Sequence, residues 1–196
     1  MGIKEMKNMN IAIFSPSLNA YSETFIQAHR DRICGEIFFY SGEHNFKLNG
    51  TKINHNRICW VYFKLLTYLN INNWREYEKR LLVQNLKLNK IDVVLIEYGN
   101  HAYNLLPVLV KSKIPFVTHF HGYDASVSLI IEDCDFYRQV FSLSQKIVVV
   151  SSVMKNKMLE LGCSLDKLVL SPYGPNEKFL TLKPKFSKKT FFAMGR

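Results

Sequence analysis

The sequence has few cysteines, and none of them form a metal-binding or disulfide motif. Its four cysteines are far apart in the chain and include no CxxC pair: Cys34, Cys59, Cys134 and Cys163. This spacing argues against a structural zinc site and against a disulfide framework. Free thiols are typical of a reducing compartment such as the cytoplasm.

Long hydrophobic runs are also missing. The beginning of the chain, MGIKEMKNMNIAIFSP, lacks a signal-peptide core, because its apolar stretch IAIF is short and ends at Ser15-Pro16. The richest apolar run, residues 58–69, is interrupted by Lys64, so it falls short of a membrane span. We therefore expect a soluble, cytoplasmic protein.

Several standard motifs for phosphate binding and covalent catalysis are absent. The sequence contains no GxGxxG, no GxxxxGK[ST] and no GxSxG. These absences argue against a standard dinucleotide-binding site, a P-loop and a hydrolase nucleophile elbow. Ser152 and Lys155 imitate the SxxK motif of penicillin-binding enzymes, but the SDN and KTG companions are lacking.

The sequence has a surplus of basic residues. Its 26 Lys and Arg against 16 Asp and Glu give a net charge of +10, spread over both halves of the chain. A diffuse surplus favours contact with a polyanion or an anionic membrane, and it is equally consistent with a role in solubility alone. We expect no nucleic-acid partner, because there is no basic-aromatic motif and no helix-turn-helix pattern.

Short β-branched runs alternate with longer helical patterns. Those at 92–96 and 147–150 are apolar at almost every position, as expected for strands that are covered on both faces. The alternation predicts an α/β fold: a Rossmann-like, doubly wound parallel sheet with helices on both faces. The predicted strands are 11–16, 36–40, 92–99, 115–122 and 146–152, and the predicted helices are 22–32, 59–69, 73–88, 101–111, 134–143 and 152–161.

The composition changes near the end of the chain. After about residue 174 the sequence becomes rich in lysine, and after Glu177 it has no acidic residue. We read this stretch as a linker that leads into the apolar run TFFAMGR. The predicted first domain is 1–185, and 186–196 would hold the end of the linker and the first strand of a truncated second domain.

The segment FVTHFHGYDAS contains the most informative polar residues. On a strand, His119 and His121 share one face. No third ligand with matching spacing is evident, so we expect no metal. His119 lies further inside the strand and is predicted to belong to the core, whereas His121 would project into the crevice at the strand's end. Gly122 would allow a sharp exit, and Asp124 would cap the next segment or bind a substrate hydroxyl.

Other polar residues follow the same strand ends, where ligands of open α/β sheets bind. The strand predicted at 92–99 ends in EYGNHA, which offers Glu97, Gly99 and Asn100 at this rim, and Glu97 could accept a hydrogen bond from a sugar hydroxyl or be an exposed rim residue. Ser22 is a candidate N-cap whose helix amides would attract phosphate. Ser151 or Ser152 would cap the last predicted helix.

Four motifs in order resemble the N-terminal half of a GT-B fold glycosyltransferase of family four, the retaining group that builds bacterial surface polysaccharides. They are SPSLNAYSETFI after the first strand, HGYD at 121–124, the segment VVVSSVMKNKMLELGCSLDKLVLSPYGPNEKF, and FFAMGR at the end. The similarity extends from about Ile11 to Arg196. The chain departs from the pattern at Asn19-Ala20, where many relatives have two glycines, and at Glu97, where relatives usually have histidine.

The resemblance implies roles for individual residues. It places His121 against the donor sugar at the reaction centre and Asp124 in support of the following loop. The donor's diphosphate would be approached by Tyr21, Ser22, Glu23, Thr24 and Arg196, and the acceptor or sugar by Glu97, Gly99, Asn100, Gly122 and Ser152.

The resemblance also implies an activity: retaining, metal-independent transfer of a hexosyl group from a nucleotide-sugar to a glycan or a lipid-linked acceptor. No cofactor is expected. The protein would act in the cytoplasm and could contact the inner face of the plasma membrane. The missing C-terminal domain would hold the nucleotide, so the chain alone would be inactive. The alternative is a non-enzymatic α/β domain that binds a ligand or has a regulatory role.

Overall fold

The computed structural model describes residues 9–18, 23–53, 57–68, 74–174 and 177–183. Within them, one sheet has the order β4-β3-β2-β1-β5-β6-β7-β8. The neighbours from β2 to β8 pair in parallel, whereas β3 and β4 form an antiparallel hairpin at the β2 edge. The strands are β1 (Asn10–Ser15), β2 (Glu36–Ser41), β3 (Lys47–Leu48), β4 (Thr51–Lys52), β5 (Val93–Glu97), β6 (Phe116–His119), β7 (Lys146–Val149) and β8 (Leu168–Leu170).

Helices connect the parallel strands. Two 3-10 turns, Asp135–Tyr137 and Leu165–Lys167, accompany them. The helices of the described residues are α1 (Thr24–Arg32), α2 (Arg57–Tyr68), α3 (Trp74–Leu88), α4 (Gly99–Ser112), α5 (Gly122–Ser126), α6 (Ser128–Asp133), α7 (Arg138–Leu143), α8 (Ser152–Glu160) and α9 (Glu177–Leu180). No helix among these residues is both long and apolar enough to cross a membrane.

The first strand shows why both faces of the sheet are covered. Successive side chains of a strand point to opposite faces, so the apolar run of β1 supplies two cores. Ile11 and Ile13 pack in a small cluster with Ile26 of α1, whereas Ala12 and Phe14 join the large cluster that includes residues of α3 and α4. The predicted α/β, doubly wound, Rossmann-like architecture is confirmed, with a sheet that is mostly rather than wholly parallel.

The strand order reverses beside β1, and this reversal positions the candidate site. β1 pairs with β2 on one side and with β5 on the other. The loops that leave the carboxyl ends of β1 and β5 therefore diverge to opposite sides and leave a crevice between them. The candidate site lies at the carboxyl ends of three strands, which are Ser15 of β1, Glu97 of β5 and His119 of β6.

Two of the predicted elements beside the site need correction. The strand predicted at 115–122 ends at His119, so His121 is the N-cap residue of α5. The helix predicted at 134–143 is broken, because Asp135, Phe136 and Tyr137 have φ values of 50°, 52° and 59°. Its left-handed stretch places the Tyr137 hydroxyl on the Asp124 carbonyl, 2.8 Å away, which satisfies both groups in the core.

The start of α1 also differs from the prediction. Its N-cap residue is Glu23 rather than Ser22, and the Glu23 side chain makes no capping hydrogen bond. Ser22 itself lies outside the described residues, as do Tyr21 and the whole of 186–196. The predicted domain boundary therefore stays a prediction.

Candidate functional site

A buried carboxylate lies at the centre of the site. Glu97 ends β5 and is fully buried, and it is surrounded by three histidines, one from α1, one from β6 and one at the N-cap of α5. His29 Nδ1 lies 2.7 Å from Oε1, His121 Nε2 lies 2.9 Å from Oε2, and His119 Nδ1 lies 3.3 Å from Oε2. The prediction of an exposed rim glutamate is therefore wrong, and both carboxylate oxygens already face imidazole nitrogens.

These contacts fix the charge of Glu97. Burial by itself would raise the pKa of Glu97, but hydrogen bonds from His119, His121 and His29 outweigh burial and hold the pKa well below its usual range. The carboxylate is therefore ionised at neutral pH. An ionised carboxylate only accepts hydrogen bonds, so His29 donates through Nδ1 and His121 donates through Nε2.

His121 is enclosed by aromatic rings. The ring centroids of Tyr98 and Phe25 lie 4.4 and 4.5 Å from that of His121, and the Tyr173 ring stacks at 6.1 Å. The Tyr173 hydroxyl is hydrogen-bonded to His121 Nδ1. Burial lowers the pKa of His121, and the bond to Glu97 only partly offsets this effect. His121 is thus a neutral ring with both nitrogens engaged.

The Asp124 side chain accepts hydrogen bonds from two backbone segments, one that follows β5 and one that follows β6. Its Oδ1 accepts a hydrogen bond from the His121 amide at 2.8 Å, and its Oδ2 accepts one from the Gly99 amide at 2.5 Å. Asp124 therefore caps α5, as one of the sequence alternatives predicted, and links α5 to the start of α4. Burial raises the pKa of Asp124 to about 7, although these backbone donors oppose the shift.

A third carboxylate holds the loop after β1 against the loop after β5. Glu23 Oε1 accepts a hydrogen bond from the Tyr98 hydroxyl at 2.7 Å, and Oε2 accepts one from Ser17. Tyr98 has a φ of 75°, a conformation that non-glycine residues rarely adopt. Such backbone strain is concentrated at functional sites, and here it lies at the reversal of strand order.

A cleft opens beside this cluster. Its volume is about 660 Å³, and Thr24, Phe25 and His29 line it from α1. Tyr173 and its neighbours after β8 line the opposite wall. Because Tyr173 is 46% exposed and His121 is only 5% exposed, the tyrosine separates the buried histidine from the open part of the cleft.

The structure brings together some predicted site residues and separates others. His121, Asp124, Glu97 and Gly99 are in one hydrogen-bonded group, whereas Ser152 is an exposed first residue of α8 whose helix is capped by Ser151. Asn100 has a buried side-chain oxygen without a partner in the described part of the chain. Tyr21, Ser22 and Arg196 lie outside the described residues.

Sequence reasoning missed three members of the site. His29 lies 68 residues before Glu97 in the chain. Its one signal in the sequence is that it follows Phe25 by four residues, which places both side chains on the same face of the helix. Tyr98 follows Glu97 directly. Tyr173 belongs to the PYGP motif, to which no role was given. His119 is buried in the core, as predicted, but its Nε2 has no hydrogen-bond partner within the described residues.

Two other features lie apart from this cleft. Asp133 and Asp135 are separated by one residue in the chain, but Asp135 bonds Arg138 at 3.1 Å and neither aspartate lines the cleft. A cavity of about 520 Å³ lies between the β3–β4 hairpin and helices α2 and α3, with Phe46, Trp60 and Tyr77 in its walls. It shares no lining residue with the cleft beside His29.

Comparison with solved structures confirms the fold. The chain is similar to HepE from Anabaena in complex with UDP and glucose, with a TM-score of 0.55 at 10% identity, over 90% of this chain and 47% of HepE. The UDP-glucose complex of HepE gives the same TM-score at 9% identity. A lipopolysaccharide outer core galactosyltransferase, WaaB, matches more loosely, with a TM-score of 0.44 at 14% identity.

HepE is a GT-B-type structure, and an identity this low shows the fold alone. The chain spans about half the length of the structures it matches, since it covers 47% of HepE. No protein-family model matches the sequence, and no curated protein matches it either. The assignment to family four therefore stays a prediction.

Alanine substitutions at Gly99 and at Gly122 test whether the core leaves room for a side chain at position 99. A Cβ on Gly99 would lie 2.1 Å from Phe120 Cε1, whereas a Cβ on Gly122 would have nothing within 4 Å. We expect Gly99→Ala to lower the free energy of unfolding by about 1–3 kcal/mol, because the core must shift to accept the methyl group. Gly122→Ala is the matched control and should be close to wild type in urea denaturation. Equal stability of the two variants would contradict this packing.

Proposed function

We propose that this chain is the acceptor-side domain of a GT-B glycosyltransferase, which transfers a hexosyl group from a nucleotide-sugar to a glycan or a lipid-linked acceptor. The observation that carries the proposal is the placement of His121. It lies directly beyond β6, at the crevice beside the strand-order reversal, and it is oriented by Glu97 and Tyr173. Ligands of open α/β sheets bind at this position.

The neutral state of His121 suits a contact with a sugar rather than with a phosphate. A neutral ring adds no positive charge, and its Nδ1 already accepts the Tyr173 hydroxyl. A donor sugar would therefore contact the His121 backbone and the edge of its ring. Alternatively, a sugar hydroxyl would replace the Tyr173 hydroxyl as the hydrogen-bond donor to His121 Nδ1. The proposed chemistry is retaining transfer through an oxocarbenium-like transition state, with no metal at the diphosphate.

The donor side of the site would come from a second domain. This proposal is supported by HepE, whose structures contain UDP with glucose and UDP-glucose, and of which the chain covers 47%. Arg196 and the start of α1 would stabilise the charge that develops on the leaving diphosphate. Tyr21, Ser22, Glu23 and Thr24 precede or begin that helix. The chain alone should release no nucleotide from UDP-glucose.

Replacing His121 tests the proposal in the protein that carries both domains. We expect His121→Ala to lower the turnover number at least tenfold, about 1.4 kcal/mol in the activation free energy, because the group facing the reacting sugar is lost. Released nucleotide diphosphate, measured at saturating donor and acceptor, is the readout.

The control for this variant is His44→Ala. His44 is exposed and contributes nothing to the Glu97 cluster, so its replacement should leave turnover unchanged. An unchanged rate in His121→Ala would remove the assignment. Micromolar binding of UDP-glucose to the 196-residue chain alone, measured by isothermal titration, would contradict the division of roles between two domains.

We also propose that α2 brings the enzyme to the inner face of an anionic plasma membrane. Val61, Leu65 and Tyr68 follow one face of this helix and are 57%, 55% and 84% exposed, with Tyr62 beside them. Lys64 lies over the Trp60 ring at 4.7 Å. The net charge of +10 favours such a surface, since each basic residue near anionic lipid contributes roughly 1 kcal/mol.

Vesicle co-sedimentation tests this surface with a matched pair of variants. The chain should pellet with vesicles that contain anionic lipid and should remain in solution with neutral phosphatidylcholine vesicles. Leu65→Glu should weaken the binding at least threefold. Leu129→Glu makes the same change at a 71% exposed leucine on α6 and should not weaken it. Equal binding to neutral and anionic vesicles would rule out the membrane proposal.

A further inference from the structure

The histidines around Glu97 also form a set of metal-ligating atoms. His29, Glu97 and His119 each offer one ligand atom, and these atoms lie within 4.8 Å of one another. They come from α1, β5 and β6, so no local sequence motif joins them. The spacing of His119 and His121 alone did not reveal a third ligand, because two of the three ligands lie far away in the chain.

One member of this set has an unsatisfied nitrogen. His119 is 3% exposed, and its Nε2 has no hydrogen-bond partner among the described residues. A buried polar atom without a partner destabilises the folded state, so buried groups in native proteins are almost always satisfied. An ion coordinated through Nε2 would satisfy this nitrogen, whereas Nδ1 is the nitrogen that lies beside Glu97.

The donor atoms suit a particular class of ion. Two imidazole nitrogens and one carboxylate oxygen are the ligands that Zn²⁺ and neighbouring first-row divalent ions prefer, whereas Mg²⁺ and Ca²⁺ prefer oxygen donors. Three protein ligands also leave one coordination position for water or another small ligand.

The cleft supplies a route to these donors. The His29 side chain is 27% exposed and lines the cleft of about 660 Å³, whereas Glu97 and His119 lie buried behind it. An ion that enters the cleft would therefore meet His29 first. The carboxylate would then supply the negative charge that compensates for desolvation of the ion.

We propose that His29, Glu97 and His119 bind one Zn²⁺-class divalent ion. The ion would compete with His121 for Glu97, because His121 Nε2 now lies 2.9 Å from the same carboxylate. Ion binding would therefore break the hydrogen bond from His121 to Glu97, which fixes the orientation of the His121 ring. This proposal does not depend on sugar transfer, and its test uses neither sugar nor nucleotide, so either proposal can fail alone.

The test is a titration of the metal-free chain with Zn²⁺. The protein carries no affinity tag, is treated with EDTA and dialysed, and contains Cys34→Ser to remove an exposed thiol. Isothermal titration should give one ion per chain. His29→Ala should weaken binding at least tenfold, and Glu97→Gln should weaken it further. His44→Ala removes an exposed histidine outside the cluster and should bind as the parent does.

Two further measurements keep the result interpretable. His29 is partly exposed, so His29→Ala should keep its fold, which circular dichroism verifies. Zn²⁺ at a hundred times the parent's dissociation constant should raise the unfolding temperature of the parent more than that of this variant, because an ion that binds only the folded state stabilises it more when it binds more tightly. Co²⁺ should give the visible absorption of a four-coordinate site in the parent alone. Absence of one-to-one binding, or equal binding by His29→Ala, would overturn the proposal.

Discussion

The structure of this site depends on one buried carboxylate. A carboxylate that loses its water must be compensated by hydrogen bonds or by charge, and Glu97 is compensated by imidazole nitrogens from α1, from β6 and from the N-cap of α5. This requirement brings His29 across the strand-order reversal and holds His121 in one orientation. Removing the carboxylate would leave the three histidines without their common acceptor.

Two neighbouring carboxyl groups show how the environment sets their behaviour. Glu97 receives hydrogen bonds from side chains that can also carry positive charge, and its pKa lies well below the usual range. Asp124 receives backbone amides only, and burial raises its pKa to about 7. The first group therefore stays ionised at neutral pH, whereas the second can exchange a proton there. Asp124 acts as a positioning group through its hold on the His121 and Gly99 amides.

Local sequence patterns predicted the sheet well and the site only in part. Runs such as VVLI at 93–96 have the β-branched, uniformly apolar character of strands covered on both faces, and their ends mark the rim at which His121 lies. The two-residue strands β3 and β4 are too short to show a period of two. The contact of His29 with Glu97 joins residues 68 positions apart, and helix and strand periodicity carry no information at that separation. Sequence patterns left two alternatives open for Glu97, because its burial depends on partners from other elements.

The most direct measurement of the central claim is a pH titration of the Glu97 side-chain carboxyl carbon by ¹³C NMR, assigned with Glu97→Gln. An ordinary glutamate titrates near 4.5, and the hydrogen bonds from three histidines place the pKa of Glu97 well below that value. The account predicts that this resonance keeps the chemical shift of the ionised form as the pH falls through 4.5, for as long as the chain stays folded. A folded-state midpoint at or above 4.5 would contradict it.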